Sequence, residues 1–407
     1  MKLRYVSDTV NIEFYCGPIG YIEYNYIVNR ASTIMLSLPW STVAAAPPPI
    51  YRISASTHLE AGQQHGRLAA DRIKGWLSTL EMSNLVNFTL GKGSDAFANL
   101  KRDNSKFSPA LAEEVKGMAE GAGIPADHMW VATLINELEA LMPSAERHGH
   151  CSDLYAVSDG GYGGGFAHGH NEDWPGPISK FWYFASINST STSGELSSCA
   201  GMVYPGGLVG WASTWNARGM YLTQNSLFPA RSRRQGLASA FVQRNAICGP
   251  DGGASSFEEV VSRLSTKGWA QAASVNIVDL VHRRMGNVEL YEDRIGVHEV
   301  VTSVPSAPAN YSHFNAFKEI RGVEDDGHRL SSHHRQARVD SLPSVRTADD
   351  IVRRLSDTAD PIYPIYREMT LATLVLDGAK KLLQVWCCGH SATSEPPLYR
   401  WDLGRFF

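Results

Sequence analysis

The sequence predicts an α+β protein. Three observations carry that prediction. Helical periodicity dominates the first third of the chain. Short β-type runs separated by Gly and Asn turns dominate from Cys151 onward. Strands and helices then mix without the strict alternation of a doubly wound parallel sheet.

From Arg52 to about Leu141 the pattern is mostly helical. Ala69, Ile73, Trp76, Leu77 and Leu80 fall on one helical face. Ser108-Pro109 reads as a helix start, with proline at the first position. Leu111, Val115, Met118, Ala119 and Ala122 continue at helical spacing, and Gly121 and Gly123 end the run. A third helix is expected over Asp127 to about Leu141. Strands are expected at Asp153–Val157, Phe166–His168, Phe181–Ile187, Val209–Trp215, Met220–Gln224 and Ser274–Asp279. Helical stretches return at Ala238–Ala246, Phe257–Leu264 and Ser332–Leu342. Thr370–Leu376 and Lys381–Trp386 read as a hairpin turning at Asp377-Gly378.

Composition excludes classes rather than choosing one. The 407 residues are 43% hydrophobic and 19% charged, which is ordinary for a globular protein and unlike a disordered one. Lys+Arg total 37 against 41 Asp+Glu, a net charge of −4 without a long basic block, so no nucleic-acid partner is expected. No run of 18 apolar residues predicts a membrane span. Six cysteines are too few for a disulfide scaffold, and Cys16, Cys199 and Cys248 show no partner pattern. Cys387 and Cys388 are adjacent in a strand, where one side chain should face away from the other and both should serve as filling.

Residues 1–50 read as an N-terminal extension. Thr33–Trp40 leads into Ala44-Ala45-Ala46 like a short apolar region before a small-residue cleavage site, but about thirty mixed residues precede it. A cytoplasmic protein is the expectation and secretion the alternative, in which case the sequons at Asn87, Asn188 and Asn310 would matter. Pro47-Pro48-Pro49 closes the extension as a stiff linker.

The chemistry gathers at Cys151. Cys151–Val157, Ser158–Gly165 and Phe166–Asp173 read as strand, glycine-rich turn and strand. With the turn centred between residues 161 and 162, antiparallel pairing sets Cys151 opposite residue 172, flanked by Asn171 and Asp173. A cysteine that begins a strand after a helical segment suggests a nucleophile freed by chain cleavage. If the His150–Cys151 bond is cut, the new α-amine can accept the thiol proton, and a carboxylate such as Asp173 can hold that amine.

These segments resemble the isopenicillin N acyltransferase-like family of autoproteolytic N-terminal-nucleophile enzymes, over about residues 51–400. That family includes an acyl-CoA:6-aminopenicillanate acyltransferase and an N-β-alanyl-dopamine hydrolase. The resemblance rests on Gly62-Gln-Gln-His65-Gly66, on Glu114-Val-Lys-Gly117-Met-Ala-Glu120-Gly121-Ala-Gly123-Ile124 followed by Leu134-Ile-Asn136-Glu137, and on Cys151 with Gly169-His170-Asn171-Glu172-Asp173. It implies a four-layer αββα sandwich, with Cys151 as nucleophile and autoprocessing residue, and Asp173 as the acid that contacts the new amine. His313-Phe314-Asn315 is similar to the family's His-Thr-Asn segment, which makes Asn315 an oxyanion-hole amide. Ser332-His-His-Arg335 is similar to its Ser-x-x-Arg, which makes Arg335 a supporting arginine. Asn171 and Asn225 are implied as further site residues. His170 stands where related bile-salt hydrolases carry arginine, and Trp174 is expected to line a pocket.

The resemblance divides the chain into a helical α-chain, 51–150, and a catalytic β-chain, 151–407, held together as a heterodimer. It implies hydrolysis of a small N-acyl amine, a β-alanyl amine among the candidates, with no cofactor. The alternatives are a CoA-dependent acyltransferase, with a CoA thioester as co-substrate, and an unprocessed acyl-amine-binding pseudoenzyme. The last is motivated by His150, because family precursors carry glycine before the cysteine, which eases the strained turn that cleavage needs. Two other readings compete for the same residues. His148, His150, His168 and His170 with Cys151 could bind zinc, but we expect no metal. Ser213, Ser239 and Ser274 lack a nucleophile elbow. Arg231, Arg233 and Arg234 read as a solvated loop, and Trp182, Trp211 and Trp215 as core.

Overall fold

The structure, a computed structural model, describes residues 2–7, 10–16, 22–23, 46–142, 151–190, 196–300, 307–325, 329–390 and 392–406. His148, His150 and the apolar segment at residues 33–40 lie outside the described residues. The chain divides into two compact units, Met1–Val43 and Ala44–Phe407. In the first, β1 (Lys2–Ser7), β2 (Val10–Cys16) and β3 (Ile22–Glu23) form an antiparallel sheet in that order.

The second unit opens on a strand, β4 (Ile50–Ala55), where helix was expected from Arg52. Helices α1 (His58–Leu68), α2 (Ala70–Leu77), α3 (Leu80–Leu90), α4 (Ser94–Phe107), α5 (Pro109–Ala122), α6 (Ala126–Thr133) and α7 (Ile135–Glu139) follow. The run expected as one face from Ala69 to Leu80 is split. Ala69 leaves helical geometry at φ −100°, ψ 8°, and Thr79 caps α3 by accepting from the Met82 amide. The helix expected from Asp127 to Leu141 is likewise broken at Leu134. Gly123 ends α5 at φ 64°, a left-handed cap that glycine adopts without strain.

Helices α1 and α5 interlock through glycines. A Cβ on Gly62 would lie 2.0 Å from the Glu114 carbonyl oxygen, and one on Gly66 would lie 2.2 Å from that of Met118. Cβ atoms on Gly117 and Gly121 would meet the carbonyl oxygens of Leu59 and Gln63, each at 2.2 Å. The two backbones therefore touch, which any larger residue would prevent. His65, between Gly62 and Gly66 in this seam and Tyr183 beyond, bonds the tyrosine hydroxyl at 2.7 Å. Burial pushes its imidazole down to about 4.

The strands build two sheets. The eight-stranded one runs β13 (Arg294–Glu299), β12 (Arg284–Tyr291), β11 (Ala273–Asp279), β10 (Met220–Ser226), β9 (Thr214–Asn216), β8 (Leu196–Val203), β7 (Tyr183–Thr190) and β4. Its one parallel pairing joins β4 to β7. The six-stranded one runs β14 (Ala309–His313), β5 (Ser152–Val157), β6 (Phe166–Asp173), β15 (Thr370–Asp377), β16 (Leu382–Cys387) and β17 (Tyr399–Asp402). A single turn, α8 (Gly161–Gly164), joins β5 to β6. Ser152 pairs with Asn171 and Tyr155 with His168, the register expected from the sequence.

The two sheets face each other. Tyr155 Oη on β5 donates to Asn276 Oδ1 on β11 at 2.6 Å, and Thr223 Oγ1 on β10 donates to Asp153 Oδ1 at 2.6 Å. Outside the six-stranded sheet, α11 (Arg329–Asp340) and α12 (Ala348–Leu355) form one helical layer. There Leu154, Ala156, Ala167 and Val375 pack on Ile351 and Leu355. Outside the eight-stranded sheet lie α1 to α7, α9 (Ser239–Cys248) and α10 (Phe257–Leu264). The fold is thus a four-layer αββα sandwich of the α+β class.

Two cysteine expectations are corrected. Cys199 and Cys248 form a disulfide between β8 and the end of α9, across 49 residues, although nothing in their spacing marked a pair. Cys387 and Cys388 do not face apart: Cys388 leaves the strand with φ 62°, which brings their sulfurs to 3.3 Å.

Candidate active site

Strand pleat decides what meets Cys151. Side chains alternate faces, so Asp153 and His170 point between the sheets while Ser152 and Asn171 point toward the outer helical layer, Ser152 at Arg335 of α11 and Asn171 at Leu355 of α12. One step further, Cys151 and Glu172 share the inner face. Sγ of Cys151 donates to Glu172 Oε1 at 3.6 Å, and the cysteine is only 2% exposed. Glu172 Oε1 also accepts from Tyr204 Oη at 2.7 Å, and its Oε2 lies 3.1 Å from His170 Nε2. Nδ1 of His170 then meets Asp153 Oδ2 at 2.8 Å. Thiol, carboxylate, imidazole and carboxylate form one continuous chain.

Its electrostatics are set by burial and by neighbouring charge. Burial pushes the Cys151 thiol up to about 12, reinforced by the Glu172 charge and opposed by His170. Burial also opposes a charge on His170, but Asp153, with help from Cys151 and Glu172, outweighs it and holds the imidazolium well above the usual range. Against the same burial penalty, His170 and His168 hold the Asp153 carboxyl well below its usual range. Asn225 Nδ2 also donates to Asp153 Oδ2 at 2.7 Å, and Asn276 Nδ2 donates to Asn225 Oδ1 at 2.8 Å. Asn225 therefore sits in the layer beneath the thiol, bracing Asp153.

The backbone of Cys151 is held from the other side. Its N–H donates to Asn315 Oδ1 at 3.1 Å, and its carbonyl accepts from Arg335 Nη1 at 2.6 Å. Arg335 also donates to Ser152 Oγ at 3.0 Å and to Asn315 Oδ1 at 2.8 Å. Asn315 is fixed in turn, since its Nδ2 donates to the Ser226 carbonyl at 2.8 Å and Ser332 Oγ accepts its backbone N–H at 3.0 Å. Arg335 is fully buried, and burial with the nearby Arg367 brings its guanidinium down to about 9.

Asp173 ends β6 on the outer face. Its Oδ1 accepts from Thr370 Oγ1 at 2.6 Å. Its buried Oδ2 lies 3.4 Å from Arg367 Nε, without hydrogen-bond direction, and has no donor among the described residues. Burial raises its carboxyl to about 6 despite Arg367. Asn171 is turned away from the thiol, donating to the carbonyls of Leu355 and Ile365 at 2.8 and 3.1 Å. Trp174 donates to Glu81 at 3.2 Å and lines a pocket over the thiol with Glu172, Tyr204, Trp211, Gln224 and Ser226.

Sequence reasoning missed Glu172, Asp153, Tyr204 and Arg367. The first two were within reach. The register already set Cys151 opposite residue 172, and the period of two then puts residues 170 and 172, not 171, beside the thiol. Tyr204 and Arg367 arrive from distant loops, and no local signal announces them.

A family model described as acyl-coenzyme A:6-aminopenicillanic acid acyl-transferase matches residues 162–391, more than half of the chain. The chain belongs to this family. The matched stretch holds Glu172, Asp173, Asn315 and Arg335 and begins just after Cys151. Membership of the acyl-transferase family supports an acyl-transferring kind of function. No curated protein matches. Among solved structures, a Caenorhabditis elegans ortholog of N-acylethanolamine-hydrolyzing acid amidase aligns at 12% identity and a TM-score of 0.41, over 62% of this chain and 99% of that one. Penicillin V acylase from Agrobacterium tumefaciens aligns at 11% and 0.36, over 63% and 88%. A mutant conjugated bile acid hydrolase from Clostridium perfringens aligns at 11% and 0.34, over 58% and 89%.

Proposed function

We propose that the chain is a self-cleaving amidohydrolase whose nucleophile is Cys151. The observation that carries this reading is the grip on that residue's backbone. Arg335 and Asn315, two buried polar side chains from distant segments, converge on the carbonyl and the nitrogen of one cysteine. Ordinary core cysteines need no such attention.

In the precursor, the thiol proton passes to Glu172, 3.6 Å from Sγ. The thiolate attacks the His150 carbonyl carbon, and the His150–Cys151 C–N bond breaks as the nitrogen takes the proton from Glu172. Water hydrolyses the resulting thioester, returning the thiol. This leaves an α-chain of 150 residues and a β-chain of 257. The new amine of Cys151 then serves as the base. Asn315 Oδ1 already accepts from that nitrogen, and Oδ2 of Asp173, which is ion-paired with Arg367 but accepts no hydrogen bond among the described residues, offers the amine a second acceptor. During turnover the thiolate attacks a substrate amide. Asn315 trades its bond to the Ser226 carbonyl for the developing oxyanion, an interaction of about 3–4 kcal/mol in comparable sites. The amine departs, and water hydrolyses the acyl-enzyme.

The pocket favours an acyl group that carries a cation. Trp174, Tyr204 and Trp211 line it, their rings tilted on one another with successive centroids 5.1 and 5.3 Å apart, and Glu172 supplies a carboxylate. Aromatic faces and a carboxylate together suit an ammonium group, such as that of a β-alanyl amine. A second reading, transfer of the acyl group from a CoA thioester to an amine, is favoured by the description of the matched family.

Denaturing electrophoresis tests the core of the proposal. Two bands of about 16 and 28 kDa, with Cys151 as the new N-terminus, are expected from roughly 110 Da per residue. Cys151→Ala should stay a single chain. Cleavage at the same bond in that variant would show that another group is the nucleophile. Product analysis with a β-alanyl amine, with and without acyl-CoA and free amine, separates hydrolysis from transfer.

A further inference from the structure

The chain of buried side chains at Cys151 has the composition of a metal site. Cys151 Sγ, His170 Nε2 and a Glu172 carboxylate oxygen all lie within 4.8 Å of one another. Sγ and Glu172 Oε1 are 3.6 Å apart, and His170 Nε2 and Glu172 Oε2 are 3.1 Å apart. Each distance runs to a different oxygen of the one carboxylate, so thiol and imidazole flank Glu172 at close to the ligand–ligand spacing around zinc, which takes sulfur at about 2.3 Å and nitrogen or oxygen at about 2.0–2.2 Å. A small turn of the carboxylate would bring one oxygen between them.

The surroundings fit as well as the donors. A zinc-bound histidine needs its other nitrogen fixed, and His170 Nδ1 bonds Asp153 Oδ2 at 2.8 Å. Asp153 is itself held by Thr223 and Asn225 at 2.6 and 2.7 Å. Tyr204 Oη orients the Glu172 carboxylate at 2.7 Å. Cys151 and Glu172 line the pocket, so a fourth position would face it. A thiolate, an imidazole and a carboxylate select zinc or cobalt over magnesium or calcium, which prefer oxygen alone.

The geometry points to a reversible zinc site on Cys151, His170 and Glu172 that silences the nucleophile. Coordination releases two protons to solvent, one from the thiol and one from His170 Nε2, while Nδ1 keeps its proton on Asp153. The bound sulfur can no longer attack a carbonyl. The binding needs only side chains and holds for cleaved and uncleaved protein alike. Its inhibitory consequence rests on the reading of Cys151 as the nucleophile.

Cobalt(II) is the probe, added to the metal-free full chain. One ion per protein is expected, with a thiolate-to-cobalt absorption band that Cys151→Ala abolishes. Stoichiometric zinc should slow alkylation of Cys151 by iodoacetamide at least tenfold. Asp153→Asn should weaken binding by about 10- to 100-fold. Should that buried variant fail to fold, the comparison of wild type with Cys151→Ala decides alone. No band, or the same band in Cys151→Ala, overturns the site, and the second result would move the metal to the neighbouring thiols of Cys387 and Cys388. Zinc bound at Cys151 without slowing amide hydrolysis would keep the site and overturn its inhibitory role. Cleavage of metal-free protein reads the nucleophile independently.

Discussion

Replacing Glu172 with glutamine should make the Cys151 thiol more reactive and slow the self-cleavage proposed for it. The two effects separate because Glu172 plays two parts. As a negative charge 3.6 Å from Sγ, it opposes ionisation of the thiol. Coulomb's law puts that opposition at about 1 kcal/mol in bulk water and about 5 kcal/mol at an effective dielectric of about 20. At about 1.4 kcal/mol per factor of ten, the thiolate fraction at fixed pH should rise between about tenfold and a few thousandfold. Glutamine keeps the size of the side chain and can still accept from Tyr204. As a proton acceptor, however, it is lost, and a general base is worth on the order of a hundredfold or more. The assay is iodoacetamide alkylation between pH 6 and 9, read by peptide mass spectrometry at Cys151. The partly exposed Cys388 serves as internal reference, and cleavage is timed in parallel. Alkylation of Cys151 that is unchanged or slower, in a variant with an unaltered Cys388 rate, would refute the electrostatic argument. Faster alkylation with unchanged cleavage would remove Glu172 from the proton-transfer step alone.

Three further outcomes follow from other parts of the molecule. Asp173 has a folded value of about 6, above its unfolded one, so the folded state binds the extra proton and stability should fall as pH rises through that window. Asp173→Asn should therefore raise the melting temperature at pH 7.5, by an equivalent of about 3 kcal/mol, and leave it little changed near pH 4, which calorimetry at the two pH values checks. Gly117→Ala drives a methyl to within 2.2 Å of the Leu59 carbonyl oxygen and should cost about 3 kcal/mol in urea unfolding, whereas a surface control such as Ala98→Gly, in the exposed part of α4, should cost only about 1 kcal/mol. Reducing the Cys199–Cys248 disulfide removes closure of a 49-residue loop, worth about 4 kcal/mol by chain entropy, so the urea midpoint should drop with dithiothreitol in wild type and not in a Cys199→Ala/Cys248→Ala variant.

Much of this architecture is legible in the sequence, because it depends on local rules. The helix start at Pro109 and the left-handed stop at Gly123 are local backbone chemistry, and α5 runs between them. The β5–β6 register follows from the position of one glycine-rich turn. β4 escapes a sequence reading because Ile50–Ala55 alternates weakly and gains its strand identity from a partner more than a hundred residues away. The Cys199–Cys248 pair escapes it for the same reason. At the site, alternation is the rule with the most left to give: it puts Glu172 beside the thiol and sends Asn171 to the α12 side. Asn315 and Arg335 are reached through resemblance alone. What unites them, a shared hold on the backbone of Cys151, is a property of tertiary structure with no trace in spacing.

The edge position of β4 has a consequence for how the gene could be handled. Residues 151–407 expressed alone would expose the backbone of β7 along Phe184–Ser189, where Ile50–Ala55 normally pairs in parallel. They would also lose α1 and α5, and with them the cover over Tyr183. Such a fragment is a template for aggregation. A gene divided between codons 150 and 151 therefore calls for co-expression of both halves, whose reassembly would restore the β4–β7 pairing.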